Sequence, residues 1–119
     1  MRYDADALIA LGHAIVLQAA RDYAQGLIQR RFVRWHDPET LRAWLTEYAE
    51  YYGEVNADRL IRRCEEGAAE FRKVSDRLRA EGGKAECPIC RGTVTRRRTS
   101  HGTTFVRCST CGVSKRYGR

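Results

Sequence analysis

Two matched pairs of cysteines constrain this chain more than any other feature: Cys87-Pro88-Ile89-Cys90, then seventeen residues, then Cys108-Ser109-Thr110-Cys111. A two-residue gap lets a tight turn aim both sulfurs of a pair at one point while its amides donate to them. Two such pairs close a tetrahedral thiolate site. Gly92 and Gly112 follow the pairs and give these turns conformational freedom. The segment 87–119 is too short to fold on apolar burial alone, whereas structural zinc contributes on the order of 10–16 kcal/mol at neutral pH. The expectation is therefore one structural Zn²⁺ held by Cys87, Cys90, Cys108 and Cys111. The alternatives are two disulfides or a redox Cys-x-x-Cys. Against them stand the odd cysteine count, the lack of a basic-then-apolar leader and the lack of a surrounding βαβ pattern.

Charge divides the chain at the same place. Residues 1–83 hold 13 basic and 14 acidic side chains, whereas residues 84–119 hold 9 basic and only one acidic, Glu86. The C-terminal third thus carries a formal +8 of the chain's net +7, and a zinc ion with four thiolates lowers that to +6. The skew to 19 Arg over 3 Lys is not read as function. A length of 119 residues, 43% of them hydrophobic and 31% charged, suits a small globular domain plus a smaller module and excludes a multidomain enzyme. No run of 18 apolar residues occurs, so neither a membrane span nor membrane binding is expected, and the location expected is cytoplasmic.

Three helices are expected before the cysteines. Asp4 or Asp6 can cap a first helix, from about residue 5 to about 34, along which Leu8, Leu11, Ile15, Ala19 and Tyr23 recur at three- and four-residue steps. Gly12 and Gly26 weaken it, and a bend near Gly26 is one expectation. Asp37-Pro38-Glu39 starts a second helix with an N-cap, a proline at the first position and a carboxylate at the positive dipole end. Leu41, Trp44, Leu45, Tyr48, Tyr51 and Tyr52 form its apolar face until Gly53, and aromatics at this spacing read as core. Asn56 can cap a third helix with Ala57, Ile61, Cys64, Ala68, Phe71 and Leu78 on one stripe, Val74 beside a break at Ser75, and a stop at Gly82-Gly83. Such helices bury their stripes against each other as a three-helix bundle. Cys64 reads as a small buried hydrophobe, and His13 and His36 receive no role. The expected organisation is α+β: a helical domain over 1–81, a flexible linker over 82–86 and a metal-held antiparallel sheet over 87–119. Leu78 or Val113 is available to dock one module on the other.

Between the cysteine pairs, Thr93–Thr99 and Thr103–Arg107 read as two strands around Ser100-His101-Gly102. With its four cysteines, Pro88, Gly112 and this hairpin, the segment 87–119 resembles the zinc ribbon. It departs at Arg91, where many ribbons have the glycine that here comes at Gly92. Ribbons serve polymerase subunits, transcription factors, topoisomerases and phage proteins, so the likeness implies a fold and not one function. An all-thiolate site leaves no open position for catalytic water, and His101 sits at the hairpin turn, so the expected protein is not an enzyme.

Hairpin register decides which side chains share a face. A two-residue turn at His101-Gly102 would pair Arg98 with Phe105 and Arg96 with Arg107. A three-residue loop from Ser100 to Gly102 would instead join Arg97 to Phe105 and Arg107, with Arg96 and Arg98 crossing to the side of Val106. Arg96, Arg97, Arg98, Phe105, Arg107, Lys115 and Arg116 are the candidate contacts to nucleic acid or a partner, with Tyr117 and Arg119 continuing the tail.

The helical part resembles short helical proteins of phages and mobile elements in Ile15–Tyr23 (IVLQAARDY), the aromatic helix and Asp58-Arg59-Leu60-Ile61. That likeness carries no active site. The leading reading is a non-enzymatic, zinc-stabilised accessory protein that contacts DNA or RNA through its basic ribbon, with the helices binding a partner or forming a homodimer. The competing reading is a phage-encoded protein–protein inhibitor of a bacterial nucleic-acid machine, a polymerase or a defence nuclease complex, whose arginines meet partner carboxylates. A thiol oxidoreductase is a third, weaker class.

Overall fold

The structure, a computed structural model, describes residues 5–32, 37–51 and 57–118. Expectations for Asp4, His36, Tyr52, Gly53, Asn56, Arg119 and the side chain of Leu8 lie outside the described residues. Three helices, α1 (Ala5–Gln29), α2 (Pro38–Tyr51) and α3 (Ala57–Glu81), precede four strands, β1 (Lys84–Glu86), β2 (Thr93–Arg98), β3 (Thr104–Cys108) and β4 (Ser114–Tyr117). The strands form one antiparallel sheet in the order β1-β2-β3-β4. The class is α+β, as expected.

Helix α1 ends five residues earlier than expected. Arg30 adopts a left-handed φ of 55° and the Arg31 amide donates back to the Gly26 carbonyl at 3.0 Å, a Schellman ending that turns the chain so that the Phe32 ring lies over Gly26. A methyl group at Gly26 would collide with that ring, so the glycine makes room for the return of the chain. The buried face also differs from the expected stripe. Val16, Ala19, Ala20 and Tyr23 are buried, whereas Leu11 is 57% and Ile15 39% exposed. The N-terminal half of α1 is apolar on every side, so its periodicity does not select a face.

Helix α2 starts as expected, with the Thr40 amide donating to Asp37 Oδ1 at 2.6 Å and Pro38 in the first turn. Its aromatic side chains, however, are not its core. Leu41, Leu45 and Ala49, one line at four-residue steps, are fully buried. Trp44 and Tyr48 stack on each other half-buried, and Tyr51 is 80% exposed. The small and aliphatic line fits the narrow space between helices, leaving the larger rings at its margin. Helix α3 keeps its expected stripe and includes Ser75, which is fully buried within it. It ends where expected, on a left-handed Gly82 whose amide donates to the Leu78 carbonyl at 2.7 Å.

Two apolar clusters run end to end. Val16, Tyr23, Leu41, Leu45 and Ile61 knit the three helices together. Beyond them, Ile28, Phe71 and Leu78 pack with Val94, Val106, Val113 and Tyr117 of the C-terminal segment, so one face of the sheet is covered by α3 and the end of α1. Leu78 and Val113 both take part in this docking. Lys84–Glu86, expected within the linker, pair with Thr93–Thr95 as the first strand, and the basic tail forms β4 against β3.

Polar contacts fix the docked sheet. The Gln25 amide group both donates to the Ser114 carbonyl and accepts from the Ser114 amide, each at 2.8 Å. One turn later Gln29 does the same for Arg116, at 3.3 and 2.7 Å. On α3, Asp76 accepts from Tyr117 Oη at 2.6 Å and pairs with Lys115 Nζ at 2.9 Å, while Arg79 lies over the Tyr117 ring. The hydrogen bonds from Tyr117 and Lys115 hold the Asp76 carboxyl below its ordinary range, and burial together with Asp76 pushes the Tyr117 hydroxyl up. Asp76→Ala is expected to cost about 1–2 kcal/mol at pH 7, discounted because the carboxylate is largely exposed. A depressed carboxyl stabilises above about pH 4 and ceases to do so as pH falls through its folded value. Denaturant midpoints of wild type and Asp76→Ala are therefore expected to converge in acid.

Candidate metal centre

The two cysteine turns have the same build. In the first, the Cys87 amide donates to the Gly92 carbonyl (2.7 Å) and the Arg91 amide to the Cys87 carbonyl (2.8 Å). In the second, the Cys108 amide donates to the Val113 carbonyl (3.0 Å) and the Gly112 amide to the Cys108 carbonyl (3.1 Å). The Gly92 amide also donates to Cys90 Sγ at 3.3 Å and the Thr110 amide to Cys108 Sγ at 3.4 Å. Arg91 (φ 65°) and Gly112 (φ 80°) occupy the equivalent left-handed position. The departure noted at Arg91 is thus a side chain standing where glycine fits best. Gly92 serves contact instead, since a methyl group there would strike the Thr110 side chain and come within 3.1 Å of Cys108 Sγ.

The four sulfurs of Cys87, Cys90, Cys108 and Cys111 all lie within 4.8 Å of one another. Cys90 and Cys108 are 3.4 Å apart and Cys87 and Cys111 3.9 Å. Sulfurs at about 2.3 Å from one zinc ion are about 3.8 Å apart in a regular tetrahedron, so this quartet matches a metal held by four thiolates. Cys87 and Cys108 are fully buried, and Cys90 and Cys111 half-buried. Burial opposes ionisation of Cys108, yet the amides of Cys111 and Thr110 pull its thiol down, whereas burial pushes the thiols of Cys87 and Cys111 up. Cys64 stands apart: its Sγ donates to the Ala20 carbonyl at 3.6 Å, and burial, then Glu65, push its thiol up to about 11. His101 is exposed at the opposite end of the β2–β3 hairpin.

Register distributes the candidate contact residues over two faces. Arg97 pairs with Phe105, Arg96 with Val106 and Thr95 with Arg107, which is the three-residue-loop alternative, closed by the Thr99 amide on the Thr103 carbonyl at 2.8 Å. Arg96 therefore lies on the docked side, donating to the Arg79 carbonyl at 3.0 Å at the end of α3, and Lys115 is held there by Asp76. Arg98 shares the side of Arg96 and is exposed at the hairpin end. The opposite face gathers Arg97, Phe105, Arg107 and Arg116, with Arg116 beside Phe105 on β4. A shallow cavity of about 270 Å³ lies there among Thr95, Arg97, Phe105, Arg107 and Ser109. Lys84, paired with Thr95, adds a cation to this face. A linker reading of 82–86 hides Lys84, because three residues are too short a run to reveal a strand by alternation. Among the described residues, no carboxylate forms a salt bridge with Arg97, Arg107 or Arg116.

No family model matches the chain, and no curated protein or solved structure matches it either. The ribbon likeness therefore stands on cysteine spacing and turn geometry, and nothing joins the helical part to phage proteins. Arg91→Gly is expected to raise thermal stability by up to about 1 kcal/mol, because a left-handed conformation costs an L-residue roughly 1–2 kcal/mol and glycine's freedom in the unfolded chain returns part of the gain. Gly112→Ala at the equivalent position is expected to lower it; thermal unfolding of both variants checks the pair.

Proposed function

We propose that the four thiolates hold one structural zinc ion and that the outward face of the sheet binds nucleic acid, so that the protein acts as a non-enzymatic zinc-ribbon accessory factor. One observation carries the reading. The sheet spends one face on α3 and leaves on the other a half-buried aromatic ring among Arg97, Arg107 and Arg116, which form no salt bridge among the described residues. Guanidinium groups on alternate positions of adjacent strands meet successive phosphates, and a flat ring between them offers a surface on which a base can stack. The zinc supplies no chemistry here beyond holding the two turns together, since four thiolates leave it no position for water.

The protein is expected to carry one zinc per chain by native mass spectrometry. Chelation is expected to abolish the ribbon's strand signal in circular dichroism while much of the helical signal persists. Binding to single-stranded oligonucleotides is expected to weaken with salt at a log–log slope of about −2, if three arginines each neutralise one phosphate. Arg97→Glu with Arg107→Glu is expected to reduce affinity at low salt by about tenfold or more. Arg98→Glu, on the other side of the sheet, is expected to have a smaller effect. Absence of binding to single-stranded DNA, RNA and duplex at low salt overturns the nucleic-acid reading and turns the arginine face toward a carboxylate-bearing protein partner.

A further inference from the structure

The shallow cavity on the outward side of the sheet brings two guanidinium groups to one place. Arg97 and Arg107 both line it, together with Thr95, Phe105 and Ser109. Thr95 stands opposite Arg107 and Phe105 opposite Arg97, so the two arginines are diagonal neighbours on β2 and β3, rooted about 7–8 Å apart. Two cations over one hollow repel each other unless an anion lies between them. The sheet supplies none. Glu86 is the only acidic residue of the four strands, and it pairs with Thr93 on the outermost strand, outside the lining. Lys84, opposite Thr95, adds a third cation at the same margin. The Thr95 hydroxyl brings a neutral donor to the cavity, whereas Ser109 Oγ donates to the Thr93 carbonyl at 3.3 Å.

We infer, resting on the nucleic-acid reading above, that this cavity takes the terminal phosphate of an unpaired strand. Charge selects the terminus. A diester inside a strand carries a single negative charge, whereas a phosphate monoester at its end carries about −1.5 to −2 at pH 7. Inside a strand the two arginines meet successive diesters; at an end both turn on one group whose charge matches theirs, each offering a planar fork of donors to its oxygens. Phe105 lines the cavity opposite Arg97, and Arg116 stands on the ring's other side in β4. The terminal base therefore stacks on the ring beside its own phosphate, and the next diester passes to Arg116. Width excludes a duplex from the same contact. Four strands measure about 14 Å from first to last, more than the major groove of about 12 Å, so the face cannot follow paired bases inward. A phosphoserine side chain carries the same charge but brings no flat ring to Phe105.

Fluorescence anisotropy of the zinc-loaded full chain at low salt separates end recognition from the function on which it rests. The probes are one short, internally labelled single-stranded DNA with a 5′-phosphate, with a 3′-phosphate, or with neither. A phosphorylated strand is expected to bind at least about tenfold tighter than the unphosphorylated one, and the end that gives the gain fixes the polarity. The gain is expected to grow as pH rises through about 6, where the monoester loses its second proton. Arg97, Arg107, Arg116, Lys84 and Glu86, the charged groups on this face, are of kinds that titrate well away from that pH, and the unphosphorylated strand subtracts any effect of His101 at the hairpin end. Arg107→Gln, at an exposed position, is expected to abolish the difference between the probes with wild-type circular dichroism and zinc content. Arg116→Gln, outside the cavity, is expected to weaken every probe alike and keep the ratio. Equal binding of all three probes overturns the inference and leaves the nucleic-acid function standing, as does a ratio that Arg107→Gln leaves unchanged or a phosphorylated blunt duplex that binds as tightly as the strand. No binding of any probe overturns both, and binding of a phosphoserine peptide in their place gives the cavity to a phosphorylated protein.

Discussion

Burial of one face of a four-stranded sheet against α3 is the constraint from which the rest of this molecule follows. Val94 and Val106 are fully buried beside Phe71 and Leu78, and because strand side chains alternate, that contact decides the orientation of every other residue in β2 and β3. Arg96 and Lys115 lie on the docked side at the edge of the seam, Arg96 exposed and bonded to a helix-end carbonyl and Lys115 paired with Asp76. Arg97, Arg107 and Arg116 are turned outward with Phe105 between them. A shift of one residue in the register would exchange the two sets and put arginines where the valines are.

The thiolate quartet and this seam support each other. Cys87 and Cys108 belong to the same apolar cluster as Phe71 and Val106, so the turns that aim the sulfurs are packed from one side by the helices. Gly67 on α3 admits Ile89 of the first turn to a distance that a Cβ would tighten to 3.0 Å. A metal held there would stabilise more than a loop: it would tie the ends of β2 and β3 to the surface on which α3 rests.

How much of this is readable in the sequence depends on the range of the signal. The quartet, the Asp37-Pro38 start and the Gly82 stop are local devices whose residues carry their own geometry, and all three stand where the pattern places them. The strands β1 and β4 are three and four residues long, and their identity comes from partners across the sheet, not from their own composition. The buried side of α1 is hidden for the opposite reason: too many of its residues are apolar for periodicity to discriminate. The division of the arginines hangs on a single residue of loop length, which composition leaves open between two registers. Nothing in a polar helix surface announces that Gln25 and Gln29 have strand backbone as their partners.

Those two glutamines have a consequence of their own. Strand β4 lies at the margin of the sheet, and a bare margin is a template on which another chain can add itself. By engaging both the amide and the carbonyl of Ser114 and of Arg116, the two side chains reproduce what a fifth strand would offer and then stop, since a side chain has no further edge to present. The helix thereby acts as a terminator for the sheet, while at the other margin β1 is only three residues long. The sheet transplanted without α1 would lose that terminator, and its open margin would invite strand-by-strand polymerisation.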